Sequence, residues 1–431
     1  MRYLILLLTC FCLEVSAKTV LIKNARIFNG VDPVLTRGHV VIKDGLIVNV
    51  SSKPPKVEKA AQVIDANNRI LTPGFIDIHA HIQENSPYKY SRFDRIVRGA
   101  FSAKAAEFTV RHGFTSVRDA GGTTSDLAKV IHDGALLGPR IFSSGAYISQ
   151  TSGHGDWRLP HESNPILKHE SPYLIEGNSI LADGVAQVLT ATRENLKKGA
   201  TQIKLMGGGG VLSEFDPIHT IQYTPAEIRA AVQAASDWGT YVMAHAYTSE
   251  SIERLINNGV KSIEHALLID NKTAKLAAEK GVVITTQAYI FGPNEKLPEG
   301  MSQENIDKNN FVKTGLEPLI KLIKKYKIKT GFGTDLGFGN YDLLGEEFVA
   351  RAQYWSPFEI LRQATSENAE IIRMSGPLVR VAKFGEIRAG WLADILLLDG
   401  EPHKDITELK HLDKAVKLVM KEGKVIVNKL N

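Results

Sequence analysis

The stretch "TPGFIDIHAHIQE", residues 72–84, sets polar side chains at alternate positions of an otherwise apolar run. Alternation with period two is strand geometry. It puts Asp77, His79 and His81 on one face, while Phe75, Ile76, Ile78 and Ala80 help to bury the segment. A histidine buried alone usually just satisfies its hydrogen bonds, so a chemical role for this strand depends on partners elsewhere in the chain.

Working outward, the texture differs on the two sides of Pro73. From Lys18 to Leu71 short β-branched runs ("TVLIKNARIF", "GHVVIKDGLIVNVSS", "AQVIDANNRILTPG") alternate with turn residues, and the pairs Asp44-Gly45 and Asn67-Asn68 read as hairpin signals. After Pro73, strand-like runs such as "GFTSVRDAGG", "ATQIKLMGGGG", "GTYVMAHAY", "VKSIEHALLI" and "IKTGFGTDLG" alternate with amphipathic helical stretches. One of these helices opens on a Thr224 cap with Pro225 at its first position. About eight such βα units over roughly 300 residues favour a (β/α)8 TIM barrel over an open sheet. No dinucleotide fingerprint opens the first unit. The chain returns to β texture in "GEIRAGWLADILLLDGEP" and "AVKLVMKEGKVIVNK", and neither outer segment is long enough to make a stable sheet alone. The predicted architecture is therefore α/β: a catalytic barrel over 72–374 and a small β-sandwich domain built jointly from 18–71 and 375–431. The irregular stretches 156–181 and 292–310 read as loops over the barrel mouth.

Composition narrows the function classes. A chain of 431 residues with 43% hydrophobic and 23% charged content is an ordinary globular protein, and a net charge of +5 from scattered lysines implies no nucleic acid partner. The N-terminus, "MRYLILLLTCFCLEVSAK", has a basic start, an apolar run and small residues before Lys18, the pattern of a signal peptide over 1–17. That predicts a secreted or periplasmic protein with no membrane association once the leader is removed. Cys10 and Cys12, the two cysteines of the chain, both lie in that leader. Any metal must then be held by His, Asp, Glu or Lys. Oligomeric state is not legible, and a homo-oligomer remains open.

Polar residues recur at the carboxyl ends of the predicted barrel strands, where barrel enzymes place their chemistry. His79 and His81 end the first; Lys204 precedes the run Gly207 to Gly210; His245, His265 and Asp335 end later ones. Taken singly, each has a bland reading: a snorkelling lysine, satisfied core imidazoles, a turn aspartate. Six such groups from five strands of one barrel can converge only at one point. The glycine run lacks a following Gly-Lys-Ser/Thr, so close substrate approach or backbone packing is preferred to a phosphate cradle.

These residues, in this order, resemble the binuclear amidohydrolase superfamily over nearly the whole mature chain. More narrowly, "VRDAGG" (117–122), "SQTSGHGD" (149–156), "IKLMGGGG" (203–210) and "YVMAHAYT" (241–248) look like its dipeptidase and carboxypeptidase branch, which includes prolidase-like enzymes. The resemblance implies that His79, His81 and Asp335 hold one divalent ion and His245 and His265 a second, with Lys204 bridging both as a carboxylated lysine. A buried lysine favours its neutral amine, which captures carbon dioxide to give an anionic carbamate with an oxygen for each ion. Imidazole and carboxylate ligands suit zinc, without excluding manganese, cobalt or iron.

The activity this resemblance implies is that of a hydrolase cleaving the amide bond before a C-terminal amino acid, in dipeptides or N-acyl amino acids, with Xaa-Pro dipeptides as the specific expectation. Hydroxide shared by two ions would attack the carbonyl, and Asp335 would carry a proton to the departing amine. Tyr223 is a candidate oxyanion donor, His154 a candidate for orienting substrate and Arg158 a candidate for holding its carboxylate. Two other readings stand beside this one: a cyclic-amide hydrolase of the imidazolonepropionase type or a deaminase, and a non-catalytic scaffold, against which the complete ligand set argues.

Overall fold

The computed structural model describes residues 19–83, 95–122, 125–159, 161–164, 177–298, 300–337 and 339–430. The leader over 1–17 lies outside the described residues. Among them, no helix is long and apolar enough to cross a membrane.

Strands from the two ends of the chain form one sheet. The N-terminal strands are β1 (Thr19–Ile27), β2 (Thr36–Lys43), β3 (Leu46–Ser51), β4 (Gln62–Asp65) and β5 (Ile70–Pro73). The C-terminal ones are β15 (Ile395–Leu398), β16 (Val416–Lys421) and β17 (Lys424–Asn428). Their order is β17-β16-β15-β5-β1-β2-β3, with β4 also on β1, so the eight strands make one hydrogen-bonded sheet. The join is β5 against β15, antiparallel, with Ile395 opposite Pro73 and Leu398 opposite Ile70. One face of this sheet gathers Ile22, Ile27, Val40, Ile42, Leu397 and Leu418 into a shared apolar cluster. The neighbouring Leu396 and Leu398 face the main core instead, which explains why β15 reads as an unbroken apolar run.

Asp44-Gly45 turns β2 into β3 with φ of 50° and 79°, the left-handed pair a tight hairpin requires. Asn67-Asn68 makes no hairpin, contrary to expectation. Both β4 and β5 run parallel to β1, the first along its start and the second along its end. The two asparagines, at φ 47° and 61°, form the step between them, beside a bulge in β1 between Ile22 and Ala25.

The middle of the chain is α/β with parallel strands. One sheet has β6 (Phe75–Ala80), β7 (Phe114–Asp119) and β8 (Arg140–Phe142). The other contains β9 (Tyr147–Ser149), β10 (Ser179–Leu181), β11 (Ile203–Met206), β12 (Val242–Thr248), β13 (Ser262–Leu268) and β14 (Val283–Thr285), in the order β10-β9-β11-β12-β13-β14. Helices follow most strands, and the one at Pro225–Asp237 opens on a reciprocal Thr224/Glu227 capping box.

The strand ladders do not close into one ring. The segment 328–335 lies between β14 and β6, linked by Ile284 N–H to the Lys329 carbonyl (3.1 Å), Ile78 N–H to that of Phe332 (3.0 Å) and Asp335 N–H to that of His79 (2.7 Å). The amide of Asn368 takes up further bonding capacity there: it accepts from Phe332 N–H (3.0 Å) and donates to the carbonyls of Phe332 (2.7 Å) and Ile76 (2.6 Å). A side chain thus replaces part of the ladder. A Cβ on Gly331 would meet that amide at 2.1 Å, so the close approach requires glycine.

Candidate active site

The carboxyl ends of β6, β11, β12 and β13 open on one cavity, lined by His79, His81, Lys204, His245, His265 and Asp335. Five imidazoles stand in a row. Ring centres are 5.3 Å apart for His81 and His79, 5.0 Å for His79 and His265, 4.7 Å for His265 and His245, and 4.1 Å for His245 and His154. Asp335 closes on the first three. Its Oδ1 is 2.9 Å from His81 Nε2 and 3.3 Å from His79 Nε2, and its Oδ2 is 3.8 Å from His265 Nδ1. His79, His265 and Asp335 each offer a ligand atom within 4.8 Å of the others, close enough to share one metal ion.

A second tier fixes the rings. His79 Nδ1 donates to Glu264 Oε2 (2.7 Å), His81 Nδ1 to the Gly121 carbonyl (3.1 Å), His265 Nδ1 to Gln287 Oε1 (2.8 Å) and His245 Nε2 to the Gly209 carbonyl (3.1 Å). Each ring keeps its other nitrogen for a ligand, the arrangement metal-binding imidazoles use. The Gly207–Gly210 run therefore packs backbone against the site. A Cβ on Gly210 would come within 1.7 Å of the His154 ring.

The local backbone is bent to bring these groups together. His265 has φ 74° and Asp335 φ 55°, a left-handed conformation that non-glycine residues hold only where surrounding bonds compensate for it.

The electrostatics favour metal binding. Burial, reinforced by Lys204 and opposed by Asp335 and Glu264, lowers the His79 pKa to about 4. Burial likewise takes His265 to about 3 and lowers His245 well below the ordinary imidazole value. These rings are neutral, lone-pair-bearing ligands near pH 7. Burial also lowers Lys204 to about 8, against the pull of Glu264 and Asp335. For Asp335, burial alone would raise the pKa, but His79, His81 and His265 outweigh it and hold the carboxyl well below its usual range.

Asp77 does not join the cluster that the alternation suggested. Its carboxylate accepts from the His79 amide (2.9 Å), the Thr334 amide (3.1 Å) and the Thr334 hydroxyl (2.6 Å), and burial raises its pKa to about 7. It braces β6 against the segment carrying Asp335.

The three candidates outside the ligand set separate. His154 lines the cavity, with Nδ1 2.6 Å from Ser213 Oγ and 3.5 Å from Asp216 Oδ2. Arg158 is not among the lining residues. Its Nε and Nη2 each donate to Asp156 at 2.7 Å, so its guanidinium fork already holds a carboxylate. Tyr223 does not line the cavity either: at φ 66° its backbone turns the ring into the core, where the hydroxyl is buried without a hydrogen-bond partner.

Two contributors went unrecognised in the sequence. Tyr247 stands two positions beyond His245 and lines the cavity, with its ring 4.8 Å from His245 and 5.3 Å from His265. The period of two from His245 was the available signal. Burial, then Asp335 and Asp216, raises its pKa well above the ordinary phenol value, so it remains a proton donor. The other is the pair Glu264 and Arg118. Arg118 Nη2 lies 3.0 and 2.9 Å from the two oxygens of Glu264, and its Nε donates to the Ile78 carbonyl (2.7 Å).

Both members of this ion pair are fully buried, so removing one strands the other's charge. Arg118→Met is expected to lower stability to chemical denaturation by about 3–5 kcal/mol. A shift below about 1 kcal/mol would mean that the site does not need the pair for its integrity.

The amidohydrolase family profile matches residues 70–426. The chain is 29% identical to ochratoxinase from Aspergillus niger over 422 residues, 95% of this chain and 87% of that protein. Among solved structures, a prolidase complexed with N-methylphosphonate-L-proline superposes with a TM-score of 0.86 at 34% identity, covering 95% of this chain and all of that one. A Xaa-Pro dipeptidase with methionine bound in its active site gives 0.83 at 27% identity over the same shares.

Proposed function

The chain belongs to the amidohydrolase family, and from that premise we propose that it is a metal-dependent hydrolase releasing the C-terminal amino acid from dipeptides, with Xaa-Pro as the preferred substrate. The observation that carries the proposal is the convergence of His79, His81, Lys204, His245, His265 and Asp335 on one cavity. Similarity to a prolidase and to a Xaa-Pro dipeptidase supports the substrate class. On this reading the two parallel sheets are arcs of a (β/α)8 barrel over 72–374. Residues 18–71 and 375–431 form the accessory β-sandwich domain, and 1–17 is a signal peptide that directs the protein to the periplasm or out of the cell.

The donor set fits two divalent ions, zinc being the expected metal. His79, His81 and Asp335 would hold one and His245 and His265 the other, with carboxylated Lys204 between them. When bound, such a pair supplies a hydroxide nucleophile near neutrality and polarises the scissile carbonyl.

The rest is done by the chain's own groups. Asp335 Oδ1 or Oδ2 takes the nucleophile's proton and passes it to the amide nitrogen as the C–N bond breaks. Tyr247 donates its hydroxyl to the developing oxyanion, the part that the sequence suggests for Tyr223. His154, stacked on His245, bounds the substrate on one side. Trp157, Leu212, Ile290, Phe291 and Met301 supply an apolar wall that limits water around the reacting amide.

The test is release of free amino acids by zinc-reconstituted protein from a dipeptide library and from a set of N-acyl amino acids. Xaa-Pro dipeptides are expected to be cleaved and a chelated control to be inert. Inertness toward both sets, with turnover of a cyclic amide or an amino-heterocycle, would replace the proposal with the cyclic-amide hydrolase or deaminase reading.

A further inference from the structure

Glu295 lines the same cavity but takes no part in the row of imidazoles. Its side chain is 7% exposed and forms an ion pair with Lys313 through Oε1, which also accepts from Asn309 Nδ2 at 3.3 Å. The second oxygen, Oε2, is buried with no hydrogen-bond partner. An ionised carboxylate has about four acceptor positions, and a buried oxygen without a donor is costly unless a ligand supplies one. The same wall contains Leu297, Pro298, Met301 and Phe291 together with Lys296 and Asn309, and with the Glu295 side chain only 7% exposed an arriving charged donor would be little screened by water.

We propose that Oε2 of Glu295 receives a cationic nitrogen of the substrate, so that the cavity selects peptides bearing a free ammonium over uncharged N-acyl amino acids. The inference rests on the peptide-hydrolase reading and deepens it. The nitrogen has two sources, the α-ammonium of a dipeptide or the side-chain ammonium of a basic residue, and both use the same charge-assisted bond.

The experiment measures binding of two inhibitors to the metal-loaded protein by calorimetry: N-methylphosphonate-L-proline and its aminomethyl counterpart, which adds one ammonium. The wild type should bind the amine-bearing compound about tenfold or more tightly. Glu295→Gln should lose that advantage with the affinity for the methyl compound unchanged, and Glu295→Asp should keep part of it. A second arm compares turnover of N-acetyl-Leu-Lys and N-acetyl-Leu-norleucine. A preference for lysine that vanishes in Glu295→Gln assigns the nitrogen to the side chain and supports the proposal equally. Normal binding of the methyl compound with no discrimination in either arm, or discrimination that survives in Glu295→Gln, overturns the role of Glu295 and leaves the hydrolase reading intact. A wild type that binds neither inhibitor and turns over neither substrate overturns both.

Discussion

Lys204→Ala is expected to lower activity by about 10³-fold or more, because on the proposed reading Lys204 would bridge two ions, and its loss would remove one of them and with it the activated nucleophile. Elemental analysis should find about one equivalent of metal where the wild type, on that reading, would hold two. The physical argument starts from burial. Lys204 is 2% exposed, and a charged ammonium among metal ligands would repel both ions. On the proposed reading the neutral amine would attack carbon dioxide, form an N–C bond and release one proton to solvent, leaving an anion with two oxygens. Because burial lowers the pKa to about 8, the amine is half neutral at that pH and about 1% neutral two units below it. Reconstitution of the metal-free protein should therefore be roughly fiftyfold faster at pH 8 than at pH 6 at equal dissolved carbon dioxide. Formate or acetate, which brings a carboxylate into the space the side chain vacates, should restore part of the activity of Lys204→Ala. A variant that keeps both metals and its activity would sink the carbamate.

Strand ends were legible because period two and β-branched residues mark a strand, and Lys204, His245 and His265 sit inside such runs. Backbone handedness was not. His265, Ala266, Asp335 and Tyr223 all have positive φ, and no residue type announced it, since glycine stands at none of those positions. At Tyr223 the bend goes with a ring outside the cavity lining and a buried hydroxyl, whereas Tyr247 lines the cavity. Arg158 lies outside the cavity lining for a different reason. Asp156, two residues earlier, is close enough in the chain to claim the guanidinium before any substrate does, and the pair was visible in "GDWR". Asn67-Asn68 carried the right local signal, a left-handed turn, but whether it joins paired strands depends on β1, more than forty residues away. Glu264 was hidden by its neighbour. In an ideal strand it would point opposite His265, and the left-handed bend at His265 lets both residues serve the same site from adjacent positions.

The second large effect is expected at Asp335. Asp335→Asn preserves size and removes both the charge and the proton acceptor, and kcat should fall by about 10²- to 10⁴-fold. Two roles could produce that loss, since Asp335 touches His79, His81 and His265 and is also the proposed proton carrier. They separate by leaving group. If the variant keeps its metal, the deficit belongs to proton transfer. It should then be largest for proline, a basic amine that departs poorly without a proton, and smaller for a p-nitroanilide, whose amine leaves with little help. If the deficit is the same for both and metal content falls in step, Asp335 acts mainly as a ligand. Beside three imidazoles the carboxyl is held well below its usual range, so it is ionised near neutrality and able to accept a proton. A weakly basic carboxylate accepts a proton only transiently and returns it readily to a more basic nitrogen. A carboxyl that far below its usual range rests ionised rather than as an acid, and the pH–rate profile of the wild type should show no limb attributable to its protonation above pH 4. An acidic limb that moves or disappears in Asp335→Asn would contradict that assignment.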